Sequence, residues 1–477
     1  MGQPDDVPVE RDRAVEILHT YRDLHESHER DPSQTKALRA AVRPGQAGQM
    51  SSADLPVVPS VPGSVVAIAR EQDREVRWLD QAAFVFPDDP GHELDYFEWD
   101  RTFGVRADDG ELVGVNSTYS LRVVLPTGEL GTGTVSRPMA GLSWVSVHPG
   151  YRRRGVLSAM MRHHLHEVHA RGEEALSGLH ASEASIYPRF GYGLATVGYA
   201  VSLGRGLTLR DAPAAPDDEG LRVRFATADV EAHGALVADL YTRSCARRPG
   251  MVDRTAALNR GRFRQTPREL EKEEPLRILV ADREGRPTGY ALVQRDMKWT
   301  DHAPDGTTRV LELAATDVVT ERRLWQAVAD FDLTSATIAY RVATDHPLLA
   351  WLPDARTIKP TRTDELFLRV VDLDRALTSR GYAIDVDVVL AVTDGLCPWN
   401  AGTWRLVGAA DGATCERTND APDLTLDVRE LGAALPGGAS LAAAGAAGLV
   451  QEHTPGALAR LSTAMRSAIE PATTYGF

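Results

Sequence analysis

The spacing of apolar and polar positions changes along the chain in a way that marks alternating strands and helices. Over residues 156–168 apolar side chains recur at intervals of three and four, which predicts a helix with one apolar stripe. The alternating run at 142–147 just before it predicts a strand. Earlier in the chain the same patterns predict strands over 110–115 and 117–125 and a helical segment over 79–84. This order of elements predicts an α/β (α+β) fold whose helices pack on a sheet.

A second unit repeats this order of elements. Residues 277–295 predict a pair of strands that turns at Glu284 and Gly285, because a short turn dipeptide separates two apolar runs. A further strand is predicted at 310–315 and a helix at 321–331. The repeated order predicts an internal duplication.

Composition changes at both ends of these two units. Residues 11–28 predict a lone helix, and 43–63 are rich in Pro, Gly and Ser, which is typical of a linker. Past residue 374 the chain becomes richer in Ala and Gly, which indicates a third unit. Its predicted strands are 385–392 and 402–407, and its predicted helices are 440–450 and 457–469. The predicted division is an extension with a linker at 1–62, followed by domains at 63–208, 209–374 and 375–477.

Length and composition narrow the class of protein. The 477 residues are too many for one average domain, and a hydrophobic content of 43% is that of a folded protein. A net charge of -14 disfavours nucleic acid as a partner. No apolar run is long enough to span a bilayer, and the N-terminus lacks the apolar core of an export signal, so we expect no membrane association. The 3 cysteines form no CxxC pair, which favours a reducing cytoplasm over a disulfide framework or a thiolate metal site.

The segment 142–157, LSWVSVHPGYRRRGVL, combines a strand, a Pro-Gly turn, a basic loop and an immediate helix. The N-terminus of a helix offers unpaired backbone N–H groups, and Gly155 lets that backbone approach an anion closely. Arginines at 152–154 add charge at the same place and can bind phosphate oxygens in a forked geometry. The segment therefore predicts a pyrophosphate site, with an ordinary exposed basic turn as the alternative. It contains neither a GxxxxGK[ST] loop nor a GxGxxG fingerprint.

These residues resemble the acetyl-CoA loop of the GNAT acetyltransferases, whose usual pattern is R/Q-x-x-G-x-G/A. The match runs over residues 152–157, with Leu157 at the second small position. That departure resembles the Eis (enhanced intracellular survival) branch of the family. The same branch is indicated by the run LHASEASIYPRFGYG at 179–193, by the length and by the aromatic C-terminal residue. The resemblance implies tandem GNAT folds followed by a sterol-carrier-protein-like domain. The second GNAT-like unit should not bind CoA, because its corresponding segment, 320–326, lacks glycine.

The resemblance also implies which residues bind acetyl-CoA. The main chain of a splayed strand should follow the pantetheine arm, the arginine loop should hold the pyrophosphate, and two residues of the second motif should border the thioester. These groups are, in that order, Val145, Ser146 and Val147; Arg153, Arg154, Gly155, Val156, Leu157 and Ser158; and Ser182 and Glu183.

Two residues are expected by the same resemblance to move protons. Tyr187 matches the general acid of the family, and the terminal carboxylate of Phe477 matches its general base. An ammonium acceptor must lose a proton before it attacks a thioester, and the departing thiolate must gain one, so both roles are chemically reasonable. Taken without the motif, Tyr187 is interpreted as a packed core tyrosine and Phe477 as a frayed end.

The acceptor is expected to be an amine-bearing small molecule or a lysine side chain. Carboxylates interleaved with aromatic rings suit a polyamine or an aminoglycoside, and a solvated acidic loop is the alternative. These residues are Asp88, Asp89, Glu93, Asp95, Glu98 and Asp100, with Phe86, Tyr96, Phe97 and Trp99 among them. The loop is longer than the family pattern, and Gly476 stands where an acid is expected, so aminoglycoside activity is in question. The resemblance also implies a homohexamer.

Two alternatives concern metal binding and catalysis. The helix around residue 165 carries a cluster of histidines, His163, His164, His166 and His169. They lack an HExxH pattern, and we interpret them as a solvated helix face with no metal site. The alternative to an enzyme is a noncatalytic lipid or small-molecule binding protein that uses the carrier-like third domain.

Overall fold

The computed structural model describes residues 64–85, 94–212, 219–265 and 274–477. The predicted helix at 11–28 and the predicted linker therefore lie outside the described residues.

Helices and strands alternate through the described residues, as the apolar pattern predicts. The helices are α1 Asp73–Phe84, α2 Val156–Arg171, α3 Val230–Cys245, α4 Ala256–Gly261, α5 Val318–Val328, α6 Pro347–Trp351, α7 Leu373–Leu377, α8 Val428–Ala434, α9 Leu441–Ala446 and α10 Ala457–Ala464. The strands are β1 Val65–Ala67, β2 Thr102–Arg106, β3 Leu112–Thr127, β4 Gly133–Val147, β5 Leu176–His180, β6 Gly193–Leu194, β7 Val197–Gly204, β8 Leu221–Thr227, β9 Val252–Asp253, β10 Arg277–Arg283, β11 Arg286–Asp296, β12 Trp299–Thr300, β13 Ala303–Pro304, β14 Gly306–Ala315, β15 Thr334–Ala343, β16 Thr361–Asp364, β17 Leu366–Val370, β18 Val386–Thr393, β19 Gly402–Ala409, β20 Gly412–Arg417, β21 Leu424–Asp427 and β22 Val450–Glu452.

The first sheet has the strand order β1-β2-β3-β4-β5-β17-β6, and β9 pairs with β3. Strands β3 and β4 form a long antiparallel pair, so the two predicted strands at 110–115 and 117–125 are one continuous strand. Helix α2 packs closely on this pair, because a Cβ placed on Gly114 would come within 2.6 Å of Val156 Cγ1. The predicted apolar stripe of α2 is buried, and it includes His164.

Strands β4 and β5 separate from one another soon after they meet. They pair in parallel only at Ala140 with Ser177 and at Gly141 with Gly178. Past these pairs β4 stays with β3, whereas β5 runs beside β17. The sheet therefore opens as a wedge between the carboxyl ends of β4 and β5. The register between β3 and β4 also shifts opposite residue 116, and Trp144 there has a positive φ of 56°, which identifies a β-bulge.

The second sheet has the order β16-β7-β15-β14-β11-β10-β8. The predicted hairpin turn is confirmed between β10 and β11. Glu284 and Gly285 both have positive φ, at 52° and 78°, as both central residues of a type I′ hairpin turn do. The segment 320–326 lies inside α5 rather than in a loop, and this helix packs on the second sheet.

The two sheets exchange strands. Strand β7 follows β6 of the first sheet along the chain, yet it pairs with β15 and β16 in the second sheet. Strand β17, which follows β16, returns to the first sheet and lies between β5 and β6. Sheet membership thus departs from the predicted division at 208 and 374, because strand pairing is decided by contacts far apart in the sequence.

The third sheet has the order β20-β19-β18-β21-β22, and α8 and α10 pack beside it. The predicted helix at 440–450 is shorter in the structure, ending at Ala446. Gly448 takes a φ of 76°, and the N–H of Leu449 donates to the carbonyl of Ala444, which closes the helix before β22 begins. None of the described helices is long and apolar enough to cross a membrane.

Candidate active site

The arginine loop ends in an exposed helix N-terminus. Gly155 precedes α2 with a φ of 86°, and Arg153 also has a positive φ, of 63°. The first amide paired within the helix is that of Ala159, which donates to Gly155 O at 3.0 Å. The amides of Val156, Leu157 and Ser158 therefore have no acceptor within the helix and are available to an anion. The guanidinium of Arg154 lies over the ring of Tyr151 at 5.2 Å, beside these amides.

One edge of β4 lines the wedge. Past Gly141 the edge that faces β5 has no strand partner among the described residues, so main-chain groups at Val145 and Val147 are open to a ligand. The Ser146 side chain is buried and donates from Oγ to Asp80 Oδ1 at 2.7 Å. The Ser146 side chain is thus already occupied by a partner on α1.

Asp80 is a buried acid that the sequence analysis missed. It lies on α1, among the apolar positions that face the sheet. Burial raises the pKa of Asp80 to about 6, and the hydrogen bond from Ser146 opposes this rise. The signal that could have found it is an acid at a core-facing position of an otherwise amphipathic helix.

Tyr187 begins the short 3-10 helix Tyr187–Phe190 and is 8% exposed. It belongs to an apolar cluster that includes Leu142 of β4 and Leu179 of β5, the two strands that separate. Burial raises the pKa of Tyr187 to about 12, and the charge of Glu183 adds to the rise. The phenol is therefore protonated at neutral pH and can donate its proton.

A buried ion pair holds the turn after Tyr187. Arg369 Nε donates to the carbonyl oxygen of Phe190 at 2.9 Å, and Arg369 Nη2 contacts the carboxylate of Asp394 at 2.6 and 2.8 Å. Gly191 is needed here, since its φ is 81° and a Cβ would lie 2.7 Å from Arg369 Nε. Asp394 belongs to the third unit, so that unit helps to place Tyr187.

Ser182 and Glu183 follow β5 at the mouth of the wedge, and both are exposed. The carbonyl of Glu183 accepts a hydrogen bond from Ile186 N at 3.1 Å, which closes the turn that leads to Tyr187. The second motif thus forms one continuous structure from β5 to Tyr187.

The C-terminal residue reaches the base of the wedge. A Cβ placed on Gly141 would lie 3.0 Å from Phe477 Cε2, so the ring covers β4 where β5 departs. The ring also meets His180 edge-on, with centroids 5.0 Å apart. Gly141 and His180 adjoin Leu142 and Leu179, which belong to the cluster of Tyr187. The structure therefore brings Phe477 and Tyr187 to the same pair of separating strands.

His180 is a second group that the sequence analysis missed. Its Nε2 is buried and has no hydrogen-bond partner among the described residues. Burial lowers the pKa of His180 to about 3, and the charge of Arg341 lowers it further, so the ring is neutral. Its place within the second motif, two residues before Ser182, was the available signal.

The acidic cluster is only partly described, because Phe86, Asp88, Asp89 and Glu93 lie outside the described residues. The remaining acids bind protein partners. Asp95 pairs with Arg264, Glu98 accepts from Ser120 N at 2.7 Å, and Asp100 pairs with Arg171 at 3.4 Å.

The aromatic residues of the same region pack together instead of projecting singly. Phe97 lies 4.8 Å from Trp144 and 5.0 Å from Trp99, measured between ring centroids. Tyr96 is 6.4 Å from Trp144. They form an aromatic wall against the bulge of β4.

The histidines of α2 differ in their exposure to solvent. His164 is buried and hydrogen-bonds Thr118 Oγ1 at 3.1 Å and Ser177 Oγ at 2.9 Å. His169 stacks on Trp399 with centroids 3.9 Å apart and bonds Asp372. The interpretation as a solvated face is therefore wrong for His164, whereas His169 is exposed. Among the described residues no group of three His, Cys, Asp or Glu side chains is placed to hold a metal ion.

The N-terminus of α5, which corresponds in the second unit to that of α2, already has its own cap. The N-cap of α5 is Asp317, whose Oδ1 accepts from Thr320 N at 2.8 Å. Leu324 and Trp325 of the same helix are buried in the core. A carboxylate already occupies the position that a phosphate would need, which agrees with the expectation that this unit does not bind CoA.

Comparison with known proteins identifies each unit. Models of an acetyltransferase (GNAT) domain match residues 67–195 and, separately, 250–370, and a sterol carrier protein domain matches 373–474. The predicted tandem GNAT folds and carrier-like third domain are therefore confirmed.

Relatives that match most of the chain support the same family assignment. An uncharacterized N-acetyltransferase of Streptomyces coelicolor is 39% identical over 396 residues, which is 82% of this chain and 93% of the relative. N-acetyltransferase Eis of Mycobacterium tuberculosis is 31% identical over 378 residues, 77% of this chain and 86% of the relative. The crystal structure of Eis1 from Mycobacterium abscessus superposes with a TM-score of 0.72 at 27% identity, covering 87% of this chain and all of that one. The resemblance stated from the motifs is confirmed: the chain is an acyltransferase that belongs to the Eis family of GNAT N-acetyltransferases.

Proposed function

We propose that this enzyme transfers the acetyl group of acetyl-CoA to a primary amine by direct attack in a ternary complex. Tyr187 acts as general acid and the terminal carboxylate of Phe477 as general base. The observation that carries this proposal is that Phe477 and Tyr187 pack on opposite faces of β4 and β5, at the point where these two strands separate.

The wedge and the arginine loop fit the co-substrate. GNAT domains use acetyl-CoA, and the free amides at 156–158 with Arg153 and Arg154 suit its pyrophosphate. The unpaired main-chain edge at 145–147 suits the amides of the pantetheine arm. Ser182 and Glu183 would border the thioester.

The proposed reaction uses two groups of the enzyme to transfer protons. The terminal carboxylate, directly or through one water, takes a proton from the ammonium form of the acceptor. The nitrogen then attacks the thioester carbonyl carbon, the carbon–sulfur bond breaks, and Tyr187 donates its phenolic proton to the departing thiolate. The acetylated nitrogen releases its remaining extra proton, which restores the Tyr187 phenol through solvent and leaves a neutral amide.

For the acceptor we propose a cationic amine, such as a polyamine, an aminoglycoside or a lysine side chain. The aromatic wall of Tyr96, Phe97, Trp99 and Trp144 supports this class, because aromatic faces attract cations. The acids among the described residues support it less, because they already bind protein partners.

The family resemblance supports a quaternary structure, and the sparse cysteines support a location in a reducing compartment. We propose a cytoplasmic homohexamer, which sedimentation of the purified enzyme tests by its mass.

The third domain gives less support to a lipid carrier. Its described groove, of about 560 Å³, is open, and Asp385, Asp387 and Arg460 line it. The rest of the lining is mostly apolar or small, but an open groove that carries three charged side chains does not enclose an apolar chain.

The direct test measures thiol release from acetyl-CoA by untagged enzyme with polyamines, aminoglycosides and lysine peptides, and mass spectrometry of each product. We expect turnover with at least one cationic amine and acetylation of its nitrogen. Binding of acetyl-CoA without turnover on any amine would contradict the proposed activity.

A further inference from the structure

The last residues of the chain follow a defined path across the second GNAT domain. We call residues 470–477 the tail and residues 248–254 the docking segment. Arg248 Nη1 donates to the carbonyl of Glu470 at 2.5 Å, and Ala472 N donates to the carbonyl of Pro249 at 3.0 Å. Thr473 Oγ1 donates to the carbonyl of Gly250 at 2.7 Å. Three successive residues of the docking segment therefore bind the tail.

Gly250 allows this close approach. Its φ is +84°, and a Cβ there would lie 3.1 Å from both N and O of Ala472 and 2.6 Å from Thr196 Cγ2. A side chain at this position would have to displace the backbone of the tail.

Tyr475 is held between arginines of the second GNAT domain. The guanidinium of Arg254 lies 4.9 Å from the Tyr475 ring centroid, and that of Arg262 lies 5.8 Å away. The ring of Tyr241 also meets Tyr475 edge-on, with centroids 6.5 Å apart. Tyr475 is 7% exposed, so these cation–π contacts are made largely away from water.

Arg254 is itself fixed by a buried ion pair. Its Nη1 and Nη2 lie 2.6 and 3.1 Å from the carboxylate of Glu312, and Tyr290 also bonds that carboxylate. Both charged side chains are almost fully buried, at 0% and 1% exposure. Strand β9, which ends just before Arg254, pairs with β3 of the catalytic sheet. The pair is therefore built into the joint between the two GNAT domains.

The remaining two residues have little freedom. A Cβ on Gly476 would lie 2.6 Å from Arg341 Nη2, and Arg341 is paired with Glu365 at 2.8 Å. The ring of Phe477 then packs on Gly141 and His180. A tail fixed at Tyr475 thus delivers the terminal carboxylate within two residues.

We propose that the second GNAT domain positions the general base, through the docking segment and through the contact of Arg254 with Tyr475. This inference rests on the proposed role of the Phe477 carboxylate. It gives a function to a GNAT domain that lacks a phosphate site: Tyr475 and Arg254 are positioning residues, which act on the reaction through Phe477.

The test compares Tyr475→Leu, Tyr475→Phe and a variant that lacks Phe477. We expect Tyr475→Leu to lower kcat by about 100-fold, because a small misplacement of a catalytic group has an effect of that size, while the KM for acetyl-CoA stays near the wild-type value. Tyr475→Phe keeps the aromatic face and should restore kcat to within about threefold of wild type. Tyr340→Leu, an exposed tyrosine in the same domain, is the matched control and should leave kcat unchanged.

A second measurement reads the position of the tail without turnover. Carboxypeptidase should remove Phe477 slowly from wild-type enzyme and from Tyr475→Phe, and faster from Tyr475→Leu. Rapid trimming of the wild-type tail through Tyr475 would show that the tail is not docked and would overturn the inference, even if Tyr475→Leu does not fold.

The outcomes separate this inference from the proposed function. Wild-type kcat in Tyr475→Leu, together with an inactive variant lacking Phe477, would overturn the positioning role and leave the base assignment in place. Full kcat after loss of Phe477 would overturn the base assignment and, with it, this inference.

Discussion

Burial shifts the pKa of three individual residues near the wedge. It raises the pKa of Tyr187 to about 12 and that of Asp80 to about 6, and it lowers that of His180 to about 3. Each shift favours the neutral form, as expected when a charged group loses water. At neutral pH the site thus holds a protonated phenol and a neutral imidazole.

Removal of the Tyr187 hydroxyl tests the general acid. We expect Tyr187→Phe to lower kcat by about 100-fold or more, with a small change in the KM for acetyl-CoA, since the proton donor is lost and the packing is kept. The matched control is Tyr192→Phe. That ring lies 6.1 Å away, and its hydroxyl bonds Ser177 at 2.8 Å. The control should lose about 1 kcal/mol of stability and keep kcat. Equal kcat values for the two variants would contradict the assignment.

Asp80 should make folding stability depend on pH. Its pKa is raised from 3.8 to about 6 on folding, so its contribution is fully present below about pH 4 and is lost as the pH rises through about 6. The loss amounts to at most about 3 kcal/mol. The neutral variant Asp80→Asn should not show this pH-dependent loss. The free energy of unfolding of the variant, relative to that of wild type, should therefore rise between pH 4 and pH 6. Denaturant titrations across that range measure the difference, and parallel stability curves would refute the prediction.

At the scale of secondary-structure elements, the site depends on the separation of β4 and β5 and on the free N-terminus of α2. The arginine loop, the helix and the strand before it were predictable, because glycine, arginine and apolar periodicity are local signals. The bulge at Trp144 was not predictable, because it depends on the register between β4 and β3. The pairing of β17 with β5 could not be predicted either. It joins Leu366 to His180, which are 186 residues apart, and no local sequence signal specifies such a pairing.

Gly155 provides a test of the helix N-terminus. We expect Gly155→Ala to raise the KM for acetyl-CoA about tenfold, because a Cβ would stand where a phosphate approaches the amides. Gly172→Ala is the control, since Gly172 ends the same helix with a similar φ of 67°. It should cost about 1 kcal/mol of stability and leave this KM unchanged. A matching rise in KM in both variants would indicate strain instead of phosphate binding.

At the scale of the whole molecule, the catalytic domain depends on both of the others. The third domain fixes the turn after Tyr187 through Asp394 and Arg369, and the second holds the tail. The family resemblance implied that Phe477 reaches the cleft, but the path of the tail could not be read from the sequence. That path depends on contacts of Gly250 and Arg254 with residues more than two hundred positions later.

Loss of the ion pair between Arg369 and Asp394 of the third domain should lower the free energy of unfolding. Asp394→Asn leaves the buried Arg369 without a counter-charge, so we expect a loss of about 3 kcal/mol in the free energy of unfolding. The control is Asp387→Asn, which breaks the exposed pair with Arg405 and should cost less than about 1 kcal/mol. Urea unfolding of both variants measures the two losses. A loss in Asp394→Asn no larger than in the control would show that the buried pair does not stabilise the joint.

The measurement that tests the central claim most directly is the kcat of enzyme with one glycine appended after Phe477. The addition converts the Phe477 carboxylate into an amide and moves the charge one residue along, while every side chain is kept. If this carboxylate is the general base, kcat falls by about 100-fold or more and the KM for acetyl-CoA changes little. If the extended enzyme turns over at the wild-type rate, the terminal carboxylate is not the base.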